Sequence, residues 1–141
     1  PAEEEGTIDM PLGRRNVERG WWQKVDPGGQ PSVSKWKVMG RGAGLTWLAL
    51  EPVTGRTHQL RVHCSAMGWP IVGDPVYGEP RWNRIVDPLL AASLRAFPRQ
   101  ALHAADLSFV HPVTGATTRI DAPLPADFAL LLETAGLRLQ P

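Results

Sequence analysis

The side chains best suited to chemistry are clustered in ten residues near the middle of the chain. The stretch from Thr54 to His63, TGRTHQLRVH, holds the arginines Arg56 and Arg61 and two histidines, one of them His58. Arginine is always charged, and the start of a helix offers unpaired backbone N–H groups and the positive end of the helix dipole. The stretch therefore predicts a corner that binds a carboxylate or a phosphate. The plainer interpretation is that the arginines are solvated or ion-paired and that the histidines only pack.

The residues around this stretch predict a strand, a turn and a helix. The apolar run from Leu45 leads into a strand that ends at Val53. Because this strand is apolar on both faces, we predict that it lies inside a sheet rather than at its edge. Gly55 permits a turn with positive φ, and Thr57 is a preferred N-cap. Apolar residues then recur at helical spacing until a glycine ends the helix: Leu60, Cys64, Met67 and Gly68.

Composition is that of one globular domain. The chain has 141 residues, of which 43% are hydrophobic and 21% charged. It has neither an apolar run near the ~18 residues of a membrane span nor a signal-peptide pattern at its first residues. The single cysteine, Cys64, excludes an internal disulfide and suits a reducing compartment. We therefore predict a cytoplasmic protein with no membrane contact, in which Cys64 packs in the interior.

A local excess of positive charge marks the first third of the chain. Between Arg14 and Arg41 stand seven basic and two acidic residues, although the net charge of the whole chain is only +1. Such a segment could bind RNA phosphates by replacing their counterions, and Lys35 and Lys37 are its candidates for RNA contact. The alternative is a solvated basic hairpin.

Turn signals divide this basic segment into two strands. Val17–Val25 and Ser32–Met39 flank the turn Pro27-Gly28-Gly29, so we predict that they form a hairpin. In the second strand polar and apolar residues alternate. Trp36 and Val38 should therefore face the sheet interior, while the two lysines face water or RNA.

The rest of the chain predicts short elements joined by turns. Residues Pro1–Gly13 hold at most one short strand, without a local partner. The later elements are a tight turn at Arg41–Gly44, a loop or short strand at Pro70–Pro75, a loop at Tyr77–Asn83, a helix from Asp87-Pro88 to about Phe97, a hairpin of Leu102–Val110 and Ala116–Ala122, and a helix at Pro125–Ala135 ended by Gly136. This order predicts an α+β fold with a largely antiparallel sheet.

Asp74 is the only charge of the loop Pro70–Pro75. It could be catalytic, but Gly-Asp-Pro is also a turn in its own right, in which the aspartate hydrogen-bonds nearby backbone. The motifs of several other chemistries are absent from the chain. No histidine or cysteine pair has the spacing of a zinc site, and neither a Gly-x-Ser-x-Gly elbow nor a glycine-rich phosphate loop occurs.

The stretch from Thr54 onward resembles the third sequence motif of the RluA-type RNA pseudouridine synthases. That family typically reads TGRTHQIRVH, a short helix, GxPIxGD and then YG, and this chain has Thr54–His63, Gly68–Asp74 and Tyr77-Gly78. A second block, Leu102–Gly115 followed by Ala122–Pro125, is similar to the C-terminal end of the family's catalytic domain. The departures of the chain from the pattern include Cys64, where leucine is usual, and Trp69, where histidine is frequent. Both leave the arginines intact.

The resemblance implies an enzyme that isomerises uridine to pseudouridine in RNA without a metal or another cofactor. A uridine leaves its stack and enters a pocket, an aspartate attacks the nucleoside to release uracil from C1′, and the base rotates and rejoins through C5. Arg61 matches the position that pairs with this aspartate and lowers its pKa. The resemblance also implies an RNA-facing turn and a lined pocket: Arg56, Thr57 and His58 form the turn, with Arg56 on phosphate, and Asp74 and Tyr77 line the pocket.

The upstream parts of the family's machinery, the motif of the nucleophilic aspartate and a tyrosine that packs beside the target base, are absent from the sequence. The nucleophilic aspartate of the family lies upstream in a His-Arg-Leu-Asp motif, which does not occur here. The resemblance thus implies that residues 1–141 are the C-terminal portion of a catalytic domain, inactive alone, whose partners are its own upstream half and structured ribosomal or transfer RNA. The alternative is an inactive RNA-binding or scaffold module with the same half-fold.

Overall fold

The computed structural model describes residues 1–14, 22–78 and 85–137. Within these ranges the chain forms seven strands and three helices, numbered here in chain order. The strands are β1 (Glu5–Asp9), β2 (Leu12–Arg14), β3 (Gln23–Val25), β4 (Val33–Gly42), β5 (Leu45–Pro52), β6 (Asp106–Val110) and β7 (Thr117–Asp121). The helices are α1 (Gln59–Ala66), α2 (Pro88–Ala96) and α3 (Ala126–Thr134). All of these strand pairs are antiparallel, which confirms the predicted α+β fold.

The largest sheet has the order β1-β4-β5, with β4 in its centre. The predicted tight turn joins β4 to β5, and both Ala43 and Gly44 have the positive φ that a two-residue hairpin turn favours. The prediction that the strand after this turn lies inside a sheet is wrong for the described residues, because β5 pairs with β4 alone. Two of its apolar side chains, Leu45 and Trp47, instead pack against the core formed by α2 and α3.

The predicted hairpin of β3 with β4 is also wrong. β3 pairs with β2, and β4 pairs with β1, so the first strand has a partner that its local sequence does not reveal. The cause is the turn after β3, where Gln30 and Leu12 exchange two backbone hydrogen bonds of 2.8 and 2.9 Å. This contact carries the chain back onto β2 before β4 begins. Residues 17–21 of the predicted strand lie outside the described part of the chain.

The two faces of β4 differ as predicted. Trp36 is 6% exposed and Val38 is half-buried, whereas Lys35 and Lys37 are exposed. Gly6 of β1 lies directly against the Trp36 ring, because a Cβ at Gly6 would stand 2.6 Å from the ring atom Cζ2. Only a residue without a side chain fits that crossing.

The two later helices form the main apolar core. The Asp87 carboxylate caps α2 by accepting hydrogen bonds from Leu89 and Leu90, and Gly136 with φ +68° follows the end of α3, as predicted. The buried residues that join them are Leu90, Leu94, Leu131, Ala135 and Leu137. The β6–β7 hairpin is present, with strands shorter than predicted. None of the helices in the described ranges is long and apolar enough to cross a membrane.

Candidate functional site

The site is built around the start of α1, which differs from the prediction. His58, not Thr57, is the N-cap residue, and it has left-handed backbone (φ 53°, ψ 22°) without a side-chain capping bond. Gly55 is not among the glycines with positive φ, so the strained position of the turn falls on a histidine. The helix then runs as predicted and ends before Gly68, whose φ is +80°. Cys64 is 2% exposed, which confirms its packing role, and burial raises the pKa of its thiol to about 11.

Arg61 and Asp74 form a two-pronged ion pair at the centre of the site. Arg61 donates from Nε to Oδ2 and from Nη2 to Oδ1 of Asp74, both at 2.8 Å. The Asp74 side chain is fully buried, and the Arg61 side chain is 12% exposed. Parallel N–H···O bonds of this kind fix the plane of the guanidinium group as well as its place.

Asp74 is also held by its own loop. Its Oδ1 accepts hydrogen bonds from the backbone N–H groups of Val76 at 2.9 Å and Tyr77 at 3.1 Å. Burial acts to raise the pKa of Asp74, but the hydrogen bond from Arg61 and those from the two amides outweigh it and hold the pKa below its usual value. A buried carboxylate that accepts four hydrogen bonds is not free to attack a substrate. The geometry therefore favours the interpretation in which Asp74 stabilises its turn, here together with the charged partner Arg61.

Tyr77 connects the ion pair to the helix start. Its ring centroid lies 5.1 Å from Cζ of Arg61, and its hydroxyl oxygen accepts a hydrogen bond from the Gln23 backbone N–H at 2.9 Å. The same hydroxyl lies 3.0 Å from Nδ1 of His58. The hydroxyl has one hydrogen and a second lone pair, so it can donate to Nδ1 or accept from Nδ1–H, according to the tautomer of the His58 ring. Burial and the charge of Arg61 lower the pKa of His58, against an opposing effect of Asp74.

The other predicted site residues fall into two groups. Arg56 and Thr57 lie on the same turn as His58, and Nε of Arg56 donates to the Pro31 carbonyl at 3.2 Å. Lys35 and Lys37 lie elsewhere: α1 contacts the face of the sheet that carries Ser34, whereas the lysines stand on the opposite face. The structure thus brings together the ion pair, Tyr77 and the turn, and it separates them from the two lysines.

The lysine face has its own character. It forms an open cavity of about 440 Å³ whose charged lining residues are Glu5, Lys35, Lys37 and Glu51. Glu5 stands opposite Lys37 across the strands, and Glu51 stands opposite Lys35. Positive and negative charges therefore alternate across this face, which reduces the attraction that the lysines exert on a polyanion.

The sequence did not predict the buried polar residues between α1 and the sheet. Ser34 and His63 are both fully buried, and Gln59 is 3% exposed. One signal pointed to them: the alternation that buries Trp36 also buries Ser34, whose hydroxyl then requires a partner. In the described ranges no group of three or more histidine, cysteine, aspartate or glutamate side chains is placed to hold a metal ion.

Comparison with known proteins agrees with this architecture. A family model described as RNA pseudouridylate synthase matches residues 1–66. The chain is 47% identical over 128 residues to ribosomal large subunit pseudouridine synthase D of Pseudomonas aeruginosa, a match that covers 90% of this chain and 40% of that protein. It is 41% identical over 129 residues to the protein of the same name from Escherichia coli, with 91% of this chain and 39% of that protein covered.

Solved structures extend the similarity to the fold. The human RNA pseudouridylate synthase domain containing 1 protein superposes with a TM-score of 0.66 at 32% identity, covering 89% of this chain and 50% of that one. These findings confirm the resemblance of the chain to the RluA-type RNA pseudouridine synthases. It spans about two fifths of the length of the curated relatives it matches.

Proposed function

We propose that this chain is the C-terminal portion of the catalytic domain of an RNA pseudouridine synthase that acts on ribosomal or transfer RNA. The orientation of Arg61 carries the proposal. Asp74 binds Nε and Nη2 of Arg61 from one side, while Nη1 makes no hydrogen bond within the described residues. The guanidinium group is thus fixed and still has N–H donors to offer to a second carboxylate.

In this proposal the second carboxylate is the nucleophilic aspartate of the upstream half of the same domain. It must be ionised to attack the nucleoside while it sits in a pocket partly shielded from water. Hydrogen bonds from Nη1 of Arg61 would favour its charged form and aim it at the uridine. Because Asp74 already compensates the charge of Arg61, much of this contribution comes from directed N–H donors rather than from net positive charge.

The turn before α1 is the proposed RNA contact on this side of the sheet. Arg56 would bind a phosphate, and Thr57 and His58 would line the path of the RNA. Tyr77 and Asp74 complete the wall of the pocket. Lys35 and Lys37 would form a second, separate RNA contact on the opposite face of the sheet, weakened by Glu5 and Glu51.

Release of tritium from RNA labelled at C5 of uridine tests the catalytic proposal, because pseudouridine formation replaces the hydrogen at that carbon. The full-length protein that contains this chain would be compared with its Arg61→Ala and Arg61→Lys variants. We expect Arg61→Ala to lower the single-turnover rate by roughly 100-fold or more, the effect typical of losing a donor in a preorganised site. Arg61→Lys keeps the charge without the two-pronged geometry and should recover only a small part of the rate.

Arg99→Ala is the matched control, since it removes an arginine from a more exposed pair with Asp127. An unchanged rate in Arg61→Ala would refute the role proposed for Arg61. The isolated 141-residue chain should release no tritium, and release by it would refute the half-domain assignment. A full-length protein that binds RNA and releases none would instead support the binding or scaffold module.

RNA affinity measured at several salt concentrations tests the two proposed contact surfaces. Each lost phosphate contact should reduce the slope of log K against log salt by about 1. We expect that reduction for Arg56→Ala and a smaller one for Lys35→Ala with Lys37→Ala. If the lysine variant has the larger effect, the main RNA path lies on the opposite face.

A further inference from the structure

Gln59, the first residue of α1, uses the full hydrogen-bonding capacity of its side chain. Its Oε1 accepts from the Thr54 hydroxyl at 2.7 Å and from the Arg56 backbone N–H at 3.0 Å. Its Nε2 donates to the Val33 carbonyl at 2.8 Å and to the Ser34 hydroxyl oxygen at 2.9 Å. A rotated amide would present its hydrogens to the Arg56 N–H, so a single orientation is allowed.

The network continues from Gln59 to the far end of α1. The Ser34 hydroxyl oxygen lies 2.8 Å from Nδ1 of His63, and Nε2 of His63 lies 2.8 Å from the Met10 carbonyl oxygen. A carbonyl only accepts, so Nε2 carries the hydrogen, and Ser34 donates to Nδ1 of the neutral ring. No buried side-chain nitrogen or oxygen in the described ranges lacks a partner, so the network is closed.

This closed network replaces the stabilisation that α1 lacks. The helix has eight residues and no side-chain cap, and its N-cap residue, His58, is in a strained left-handed conformation. Gln59 and His63 are four residues apart and face the sheet together. Arg61 lies two residues from each, about 200° around the helix from either, on the side that meets Asp74.

We infer that Gln59 is a positioning residue of the proposed pseudouridine synthase: through Ser34 and His63 it sets the rotation and depth of α1, and thereby the place of the Arg61 guanidinium group. The inference rests on the proposed function. It assigns no contact between Gln59 and RNA. It also gives a physical reason for the glutamine and the second histidine of the stretch TGRTHQLRVH, which the arginine chemistry does not use.

Gln59→Glu tests the inference with little change in side-chain shape. The carboxylate still accepts from Thr54 and Arg56, but it cannot donate to the Val33 carbonyl or to Ser34. Gln30→Glu, at an exposed position, makes the same change in charge and serves as the control. Ser34→Ala interrupts the network at its middle without adding charge.

In the full-length protein we expect both test variants to lower the single-turnover rate by roughly 10- to 100-fold, because small displacements of a catalytic group have effects of this size. The dissociation constant for RNA should stay within about twofold of wild type, since phosphate contacts dominate affinity. Gln30→Glu should leave both values unchanged. Equal losses of rate and RNA affinity, or a rate loss that only follows the loss of folded protein, would overturn the inference.

A second measurement separates this inference from the proposed function. The Arg61 Nε–H of the 141-residue chain gives an NMR signal that depends on its hydrogen bond to Asp74. If the full-length wild type releases no tritium, the catalytic proposal fails. The positioning role of Gln59 is then tested separately. A shift of this signal in Gln59→Glu would support the role, and an unchanged signal would overturn it.

Discussion

Replacing Arg61 by alanine leaves Asp74 as a buried carboxylate with only two backbone donors. Removing one partner of a buried ion pair costs about 3–5 kcal/mol in the free energy of unfolding. The two remaining amide donors and the 12% exposure of the Arg61 side chain place the expected cost at the lower end of this range. We therefore expect a loss of about 3 kcal/mol at pH 7, or roughly 10 °C in Tm for a chain of this size.

The loss should depend on pH in a defined direction. In the wild type the pKa of Asp74 is lowered, so the pair stabilises the fold above the ordinary aspartate pKa of about 3.9 and is lost as the pH falls through the lowered value. Without Arg61, only the two backbone amides oppose burial, so the pKa of Asp74 in the variant lies above that of the wild type. As the pH falls, the carboxylate of the variant takes up its proton first, so the stability gap to wild type should narrow from pH 7 to pH 4.5.

Urea unfolding followed by tryptophan fluorescence measures this gap, since the Trp36 and Trp69 rings pack with their centroids 5.1 Å apart. Arg99→Ala is the control, because its pair with Asp127 is 38% and 43% exposed and contributes less than about 1 kcal/mol. The reasoning is refuted if Arg61→Ala costs no more than the control, or if its gap to wild type is the same at both pH values.

Three further predictions concern neighbouring parts of the fold. Gly6→Ala should destabilise by about 1–3 kcal/mol, because its Cβ would meet the Trp36 ring, and thermal unfolding would measure the loss. Cys64, whose pKa burial raises to about 11, should react with a thiol reagent at pH 8 only as fast as the chain opens, which a fast reaction in the native protein would contradict. The pKa of His58, measured by NMR titration, should lie below 6.5, so protonation of His58 opposes folding as the pH falls. Arg61→Ala should raise this pKa, because it removes the charge that lowers it and leaves the opposing effect of Asp74.

Local signals predicted the elements that local interactions stabilise. Asp87 before a proline gave the start of α2, and the glycine after α3 gave its end. The alternation in β4 correctly assigned Trp36 to the interior and the lysines to the surface. In each case the residues that decide the structure lie within a few positions of it.

Pairings between distant residues were beyond local reasoning. Nothing near Glu5 indicates that it lies opposite Lys37, or that Gln30 returns to Leu12. The family motif identified Arg61, but its pairing with Asp74 joins residues 13 positions apart across a loop. The left-handed position fell on His58 rather than on Gly55, because contacts of the folded turn, His58 with Tyr77 and Arg56 with Gln59, outweigh intrinsic backbone preference there.

The two-residue turn at Ala43 and Gly44 has a consequence for the order of folding. Hairpins with such turns form in about 1–10 μs, because only two residues separate the paired strands in the sequence. β4, β5 and α1 are contiguous in the chain, whereas β1 must cross more than twenty residues to reach β4. β4, β5 and the helix α1 that carries Arg61 should therefore become structured before the N-terminal strand joins them. Pulsed hydrogen exchange during refolding would show this as protection of the Val53 amide, which donates to the Val33 carbonyl, before the Val38 amide, which donates to the Glu4 carbonyl. Simultaneous protection of the two amides would contradict it.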